Sequence, residues 1–311
     1  MSAILVTGGL GVVGGHLVRI LRERGHDVWI ADLPHDHDAR YVRCDVGSFR
    51  QVERAFEKAD FDFVYHLAAE FGRWNGEDYY DTLWRTNATG TKNIIRLQER
   101  LGFKLIFSSS SEVYGDHDGV MIESVMDEVE IRQLNDYAMT KWINEQQIIN
   151  SRAMHGTESV RVRLFNTYGE GEYYSPYRSV NCLFTYRALH GIPYTVYLDH
   201  HRTSSYISDT ATTMANIVDN FVPGEVYNIA STEYHDIKTL SDLILREVGI
   251  DDSLVEYKEA EPFTTRDKKV DVGKAIRDLG HAPTIELAEG VARTVAWMRG
   301  VYGVPGGAAG S

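Results

Sequence analysis

The chain has 311 residues, 43% hydrophobic and 25% charged, a globular composition that excludes a disordered, collagenous or disulfide-scaffold protein. Its 45 acidic residues outnumber 32 basic ones, for a formal charge of −13, the wrong sign for a nucleic-acid binder, whose affinity rests on neutralising phosphates. Two cysteines, Cys44 and Cys182, no apolar run near the ~18 residues that span a bilayer, and a start without a basic n-region lead us to expect a cytoplasmic protein with no membrane segment.

Residues 3–7 read as a short apolar strand. Val13, Leu17, Ile20 and Leu21 then recur at helical spacing up to Gly25, a C-cap. Residues 27–31 read as a second strand, and Cys44-Asp45-Val46 follows a short third. Ser48 with Gln51 has the capping-box pattern, ahead of Phe49, Val52 and Phe56 on one helical face. Strands are expected at 61–68 and 103–108, separated by a long helix near 83–101. A helix around 137–150 leads to a strand at 160–164. This alternation predicts an α/β fold built on a doubly wound parallel sheet, the Rossmann arrangement.

After about residue 168 turn residues cluster at Gly169, Gly171, Pro176, Gly191 and Pro193. The later elements are shorter: a strand at 226–230 and amphipathic helices at 237–248 and 287–298. We expect a nucleotide-binding part over 1–168 and a smaller α/β substrate-binding region over 169–302, interleaved with the last strands of the sheet. Residues 303–311, rich in Gly and Ala, read as a disordered tail.

Thr7-Gly8-Gly9-Leu10-Gly11-Val12-Val13-Gly14 lies between the first strand and the first helix. Glycines at 8, 11 and 14 permit a tight turn, close approach of a pyrophosphate to backbone N–H groups, and close helix–sheet packing. Asp32 falls at the end of the second strand, where a carboxylate accepts from both ribose hydroxyls and repels a 2′-phosphate. NAD is therefore expected over NADP. Asp45 has two readings, an acceptor for the adenine amino group or a helix cap, with Val46 beside it. His66-Leu67-Ala68-Ala69 ends the fourth strand in small residues, which lets backbone approach a cofactor.

Tyr137 and Lys141 are four apart in Tyr-Ala-Met-Thr-Lys, so both face one way on a helix. A phenol is a poor base at neutral pH. A neighbouring ammonium, together with a positive nicotinamide ring, favours the phenolate and lowers its pKa. Ser108-Ser109-Ser110-Ser111-Glu112-Val113-Tyr114-Gly115 ends the preceding strand, where sheets of this kind carry their ligand crevice. The His35-Asp36-His37-Asp38 run reads as a solvated acidic loop, and the adjacent His200 and His201 cannot readily face one ion, so no catalytic metal is expected.

With these motifs the chain resembles the extended short-chain dehydrogenase/reductases that modify nucleotide sugars, the epimerase/dehydratase group. The resemblance runs from Ala3 to about Met298. It rests on the glycine turn, the HLAA run, Asn87 in Thr-Asn-Ala-Thr-Gly-Thr, the serine run, the YAMTK pair and Arg163-Leu-Phe-Asn166-Thr-Tyr-Gly169, all in the family's order. It implies that NAD oxidises the sugar at C4, that the 4-ketone activates a neighbouring centre, and that the NADH formed then reduces the ring again. Tyr137 is implied as the base on the C4 hydroxyl, assisted by Lys141 on the nicotinamide ribose, with Ser110 bonded to the same oxygen and Glu112 beside it. Gly8, Gly11, Val12, Val13, Gly14, Asp32, Asp45, Val46, Leu67, Ala68, Ala69, Asn87 and Ser108 are implied around the cofactor. Ser111, Asn166, Arg178 and Arg202 are implied at the nucleotide-diphosphate sugar.

The Ser111-Glu112 pair is similar to that of UDP-glucuronate decarboxylases, whereas many dehydratases have Asp-Glu and plain C4 epimerases need no carboxylate there. Decarboxylation is the leading expectation, with epimerisation and dehydration as alternatives. A protein that binds NAD without chemistry is a further one, opposed by the intact Tyr137, Lys141 and Ser110. The stretches at 70–75 and 173–178, and Gly169-Glu170-Gly171, depart from the decarboxylase pattern. The resemblance also implies a homodimer in which helices near 83–101 and 142–153 form a four-helix bundle over Trp84 and Trp142.

Overall fold

The apolar run of the first strand feeds two cores at once. The computed structural model describes residues 1–261 and 264–304. Its strands are β1 (Ala3–Thr7), β2 (Asp27–Asp32), β3 (Tyr41–Arg43), β4 (Phe63–His66), β5 (Lys104–Ser110), β6 (Ser159–Leu164), β7 (Tyr194–Tyr197), β8 (His201–Thr203), β9 (Val226–Ile229), β10 (Tyr234–Asp236) and β11 (Val255–Lys258). The helices are α1 (Val12–Glu23), α2 (Phe49–Phe56), α3 (Arg73–Asp78), α4 (Tyr80–Trp84), α5 (Gly90–Leu101), α6 (Val125–Glu128), α7 (Asp136–His155), α8 (Val180–Leu189), α9 (Ile207–Asn216), α10 (Ile237–Val248), α11 (Gly273–Leu279) and α12 (Leu287–Tyr302).

Seven strands form one parallel sheet in the order β3-β2-β1-β4-β5-β6-β9. Successive side chains of a strand point to opposite faces. Ile4 and Val6 therefore join Leu17, Leu21, Met214 and Leu279 in one layer, while Leu5 joins Val52, Ile94, Leu97 and Ile148 in the other. A third cluster packs α8, α10 and α12 through Phe184, Ile244 and Val295. It sits beside two small sheets, β10-β8 and β11-β7. The strand order reverses between β1 and β4, which leaves a crevice at their carboxyl ends.

The doubly wound α/β sheet is as expected from the alternation, and the local differences have physical reasons. The helix expected near 83–101 consists of α4, a five-residue π-helical turn over Arg85–Thr89, and α5. The capping box does not form. Ser48 makes no cap bond with its side chain, and in place of the Ser48 N–H, which donates to the Asp45 carbonyl at 3.0 Å, Gln51 Oε1 accepts from the Asp45 N–H at 2.9 Å. Helices α8 and α9 were not expected. Gly303 caps α12 in a left-handed conformation, and the tail expected to be disordered falls largely on 305–311, outside the described residues. Among the described residues no helix is long and apolar enough to cross a membrane, and no three metal-binding side chains gather.

Candidate active site

A cavity of about 620 Å³ opens at the crevice, lined by the β1–α1 turn, the ends of β2, β4 and β5, the start of α7 and the segment after β6. The turn's glycines have steric reasons. Gly8 has φ +72°, and a Cβ there would lie 2.7 Å from Ala68 N, while one on Gly14 would lie 2.1 Å from Gly8 O. Helix α1 has no side-chain cap and no acidic residue in its first turn. Its amino end, with Val12, Val13 and Gly14, borders the cavity as a ready cradle for a diphosphate. Asp32 is pinned where β2 ends. Its Oδ2 accepts from Leu10 N–H at 2.9 Å and its Oδ1 from Leu33 N–H at 2.7 Å.

The opposite wall is β4's end. Leu67, Ala68 and Ala69 border the cavity, and Thr7 fixes them through its carbonyl to Leu67 N–H (3.1 Å) and its hydroxyl to Ala68 N–H (3.3 Å). Buried His66, held between Thr7 and Thr91, is pulled down to about 3 by burial and is a neutral prop. Asp45 reaches the cavity edge with its carboxylate already shared between Gly47 N–H (2.9 Å) and Arg85 (2.7 Å). The first is a local turn contact and the second reaches across 40 positions of sequence, and neither caps α2, whose N-cap is Ser48. Asn87, expected at the cofactor, is buried behind the wall. Its amide binds both N–H and C=O of Glu70 and the Thr140 hydroxyl, so the π-helical turn that carries it serves to fix Glu70, which does border the cavity.

Beyond lie the side chains expected to be catalytic. Lys141 Nζ donates to the Ser108 carbonyl at 2.8 Å and lies 5.9 Å from the Tyr137 ring centroid. Burial draws this ammonium down to about 8, against the pull of Glu145. Tyr137 bonds to Ser110, yet burial, reinforced by the Glu112 charge, pushes the phenol up to about 12. That is opposite to the depression expected from the pair spacing, because burial and the Glu112 charge outweigh the hydrogen bond from Ser110. Beneath them Glu145 takes Ser109 Oγ (2.5 Å), Arg161 (3.2 Å) and Arg163 (2.8 Å), a buried ionic anchor for the ends of β5 and β6.

At the far end Asn166 takes a left-handed φ of 41° and keeps its Oδ1 buried without a partner. Arg178 leaves its Nε unpartnered in the same way, with its guanidinium 4.4 Å from the Phe71 ring centroid. Both border the cavity, as does Ser111. These orphaned polar atoms are what a polar ligand would satisfy. Arg202, expected at the substrate, donates from its Nη1 to the carbonyls of His201 (2.8 Å) and Arg266 (2.7 Å) and acts on Glu112 through its charge. Lys268, which no motif announced, is buried and ion-paired with Glu112. Burial alone would raise the Glu112 carboxyl, but Lys268 and Arg202 hold it below the usual carboxylate range.

Residues 4–230 match the NAD dependent epimerase/dehydratase family. The chain is 30% identical to UDP-glucuronic acid decarboxylase 1 of Xenopus tropicalis, over 95% of this chain and 72% of that protein. Its fold matches the UDP-glucose 4-epimerase of Thermotoga maritima solved with UDP-glucose (TM-score 0.87, 25% identity, 96% and 99% of the two chains). It also matches a dTDP-glucose 4,6-dehydratase of Streptomyces venezuelae solved with NAD (TM-score 0.87, 25% identity, 97% and 98%). With a glycine turn, a terminal acidic residue on β2 and a Ser–Tyr–Lys set in one crevice, the chain belongs to the NAD-dependent epimerase/dehydratase family of nucleotide-sugar enzymes.

Proposed function

We propose that this enzyme decarboxylates UDP-glucuronate through a transient 4-keto sugar, in a reducing cytoplasm that suits its two buried, unpaired cysteines. Eliminating water from the sugar calls for a protonated acid on the leaving hydroxyl and a base on C5. Here the residue before Glu112 is Ser111 and not a second acid, and Glu112 itself is paired with Lys268 and held ionised; that observation carries the reading. Loss of carbon dioxide needs less. In a 4-keto uronate the C5–carboxyl bond breaks, its electron pair passes into the C4 carbonyl, and the resulting enolate takes up a proton from solvent water at C5, Glu112 being held ionised.

NAD fits the cradle that the glycines leave open, with Asp32 at its ribose. Bound there, it supplies the two-electron acceptor for C4. Tyr137 takes the C4 hydroxyl proton, Ser110 shares that oxygen, and Lys141 holds positive charge beside both. Asn166 and Arg178 bind the polar sugar and its diphosphate or carboxylate, with residues 169–302 as the substrate-binding part. UDP-glucuronate incubated with the enzyme and NAD should yield carbon dioxide and a UDP-pentose or its 4-keto form, read by mass spectrometry. Glu112→Gln should slow that step more than the C4 oxidation. Product of unchanged mass would establish epimerisation instead, and loss of water dehydration.

We also propose a homodimer. Helix α7 leaves Met139, Trp142, Ile149 and Met154 exposed, an apolar face that an isologous pairing of α5 and α7 would cover. Trp84 is already tied down within one chain, its Nε1 donating to Asp136 at 3.1 Å. Light scattering at micromolar concentration should give twice the chain mass, and a strictly monomeric mass would rule the pairing out.

A further inference from the structure

Lys268 lies in the stretch between β11 and α11, and its backbone is fixed on two sides. Its N–H donates to the His201 carbonyl at 3.1 Å, its own carbonyl accepts from Thr203 Oγ1 at 2.9 Å, and Met121 N–H binds the next carbonyl at 2.8 Å. The side chain is 2% exposed, and its Nζ pairs with Glu112 while reaching Ser111 Oγ at 3.3 Å. Lys268 borders the same cavity as Ser110, Tyr137 and Glu112.

The other groups facing Glu112 are the Arg202 guanidinium, the Asn135 amide and the Tyr137 phenol. Arg202 is held through its Nη1 by two carbonyls, which keeps the guanidinium in place behind the carboxylate. Without Lys268, Glu112 would confront an incoming sugar carboxylate with like charge, which is strongly unfavourable at close range in a partly desolvated site. With Lys268 in contact and Arg202 behind, the three groups together carry one positive charge.

We propose that Lys268 is a specificity-determining positioning residue. It holds Glu112 ionised and turned aside and cancels its charge, so that the pocket admits a sugar carboxylate next to an acidic side chain. This rests on the uronate reading above.

The test separates the two. In protein labelled with ¹³C at the glutamate carboxyls, with Glu112→Gln identifying the signal, Glu112 should remain a carboxylate from about pH 5 to 8. In Lys268→Met it should titrate at higher pH than in the wild type. An unchanged titration overturns the proposal whether or not UDP-glucuronate is turned over. On the substrate side, Lys268→Met should lower kcat/KM for UDP-glucuronate about thirtyfold or more, while the Kd for neutral UDP-glucose changes far less. Lys268→Arg, which keeps the charge, should recover most of the loss, and thermal melts of both variants check that they fold. If uronate and neutral sugar lose affinity equally, Lys268 merely grips the nucleotide diphosphate and the proposal fails. A wild type that turns over another nucleotide sugar but not UDP-glucuronate would sink the uronate reading, leaving the carboxyl titration to decide the Glu112 part.

Discussion

Tyr137→Phe should reduce turnover of any nucleotide sugar by about a hundredfold to ten-thousandfold, the usual contribution of a positioned acid–base group, while NAD binding measured by calorimetry stays close to wild type. The substitution removes one hydroxyl and leaves the ring, and with it the packing next to Lys141 and Ser110. The pH dependence gives a sharper check. With the phenol pushed up to about 12 by burial, the fraction acting as base grows as pH rises. Lys141, drawn down to about 8 by its own burial, is an ammonium below that pH and loses its charge above it. The sign follows: kcat/KM climbs through neutrality and turns over near pH 8 as the supporting charge disappears. Lys141→Met should be slow at every pH and lack the turnover. A profile in Lys141→Met with the wild-type shape would show that the ammonium does not support the phenolate.

The residues legible in the sequence are those whose geometry is local. Four positions on α7 place Lys141 near Tyr137, and three glycines in one turn announce their own steric need. What escaped notice depends on contacts between distant segments. Lys268 meets Glu112 across 156 positions of sequence, from a stretch with no periodicity or motif. Its partner reads as a free acid until the fold neutralises it. Arg202 shows the same dependence on distant segments: its place in the motif suggests a ligand contact, and in the fold its Nη1 is held by the His201 and Arg266 carbonyls, the second of them 64 positions away. Asn87 likewise follows backbone need, since the loop after β4 must have its Glu70 N–H and C=O satisfied. In the Ser48-Gln51 pair, Gln51 takes the Asp45 N–H in place of the Ser48 N–H. Beyond residue 168 the helices α8 and α9 have mixed faces packed on several sides, so no single stripe of apolar residues marks them.

Two adjacent glycines should respond in opposite directions to the same added methyl group. At Gly14 a Cβ would sit 2.1 Å from the Gly8 carbonyl and 2.8 Å from Gly9 Cα. Both are backbone, so nothing flexible can yield, and the amino end of α1 must back away from the turn. Overpacking of this kind costs about 1–3 kcal/mol. At 1.4 kcal/mol for each factor of ten, Gly14→Ala should weaken NAD binding about fivefold to a hundredfold and lower Tm. At Gly15 the nearest backbone atom to a new Cβ is Gly9 O at 3.9 Å, an ordinary contact, and the residue faces solvent in the first turn of α1. Gly15→Ala should therefore leave NAD affinity unchanged and raise Tm, since alanine exceeds glycine in a helix by about 0.8–1 kcal/mol. Calorimetric titrations of both variants, repeated with NADP, supply the measurement. NADP should bind the wild type far more weakly, because Asp32 stands at the end of β2 with its carboxylate fixed by two backbone N–H groups. Equal NAD affinity in Gly14→Ala and Gly15→Ala would mean that the dinucleotide does not lie on the β1–α1 turn, and equal affinity for NADP would remove Asp32 from the ribose.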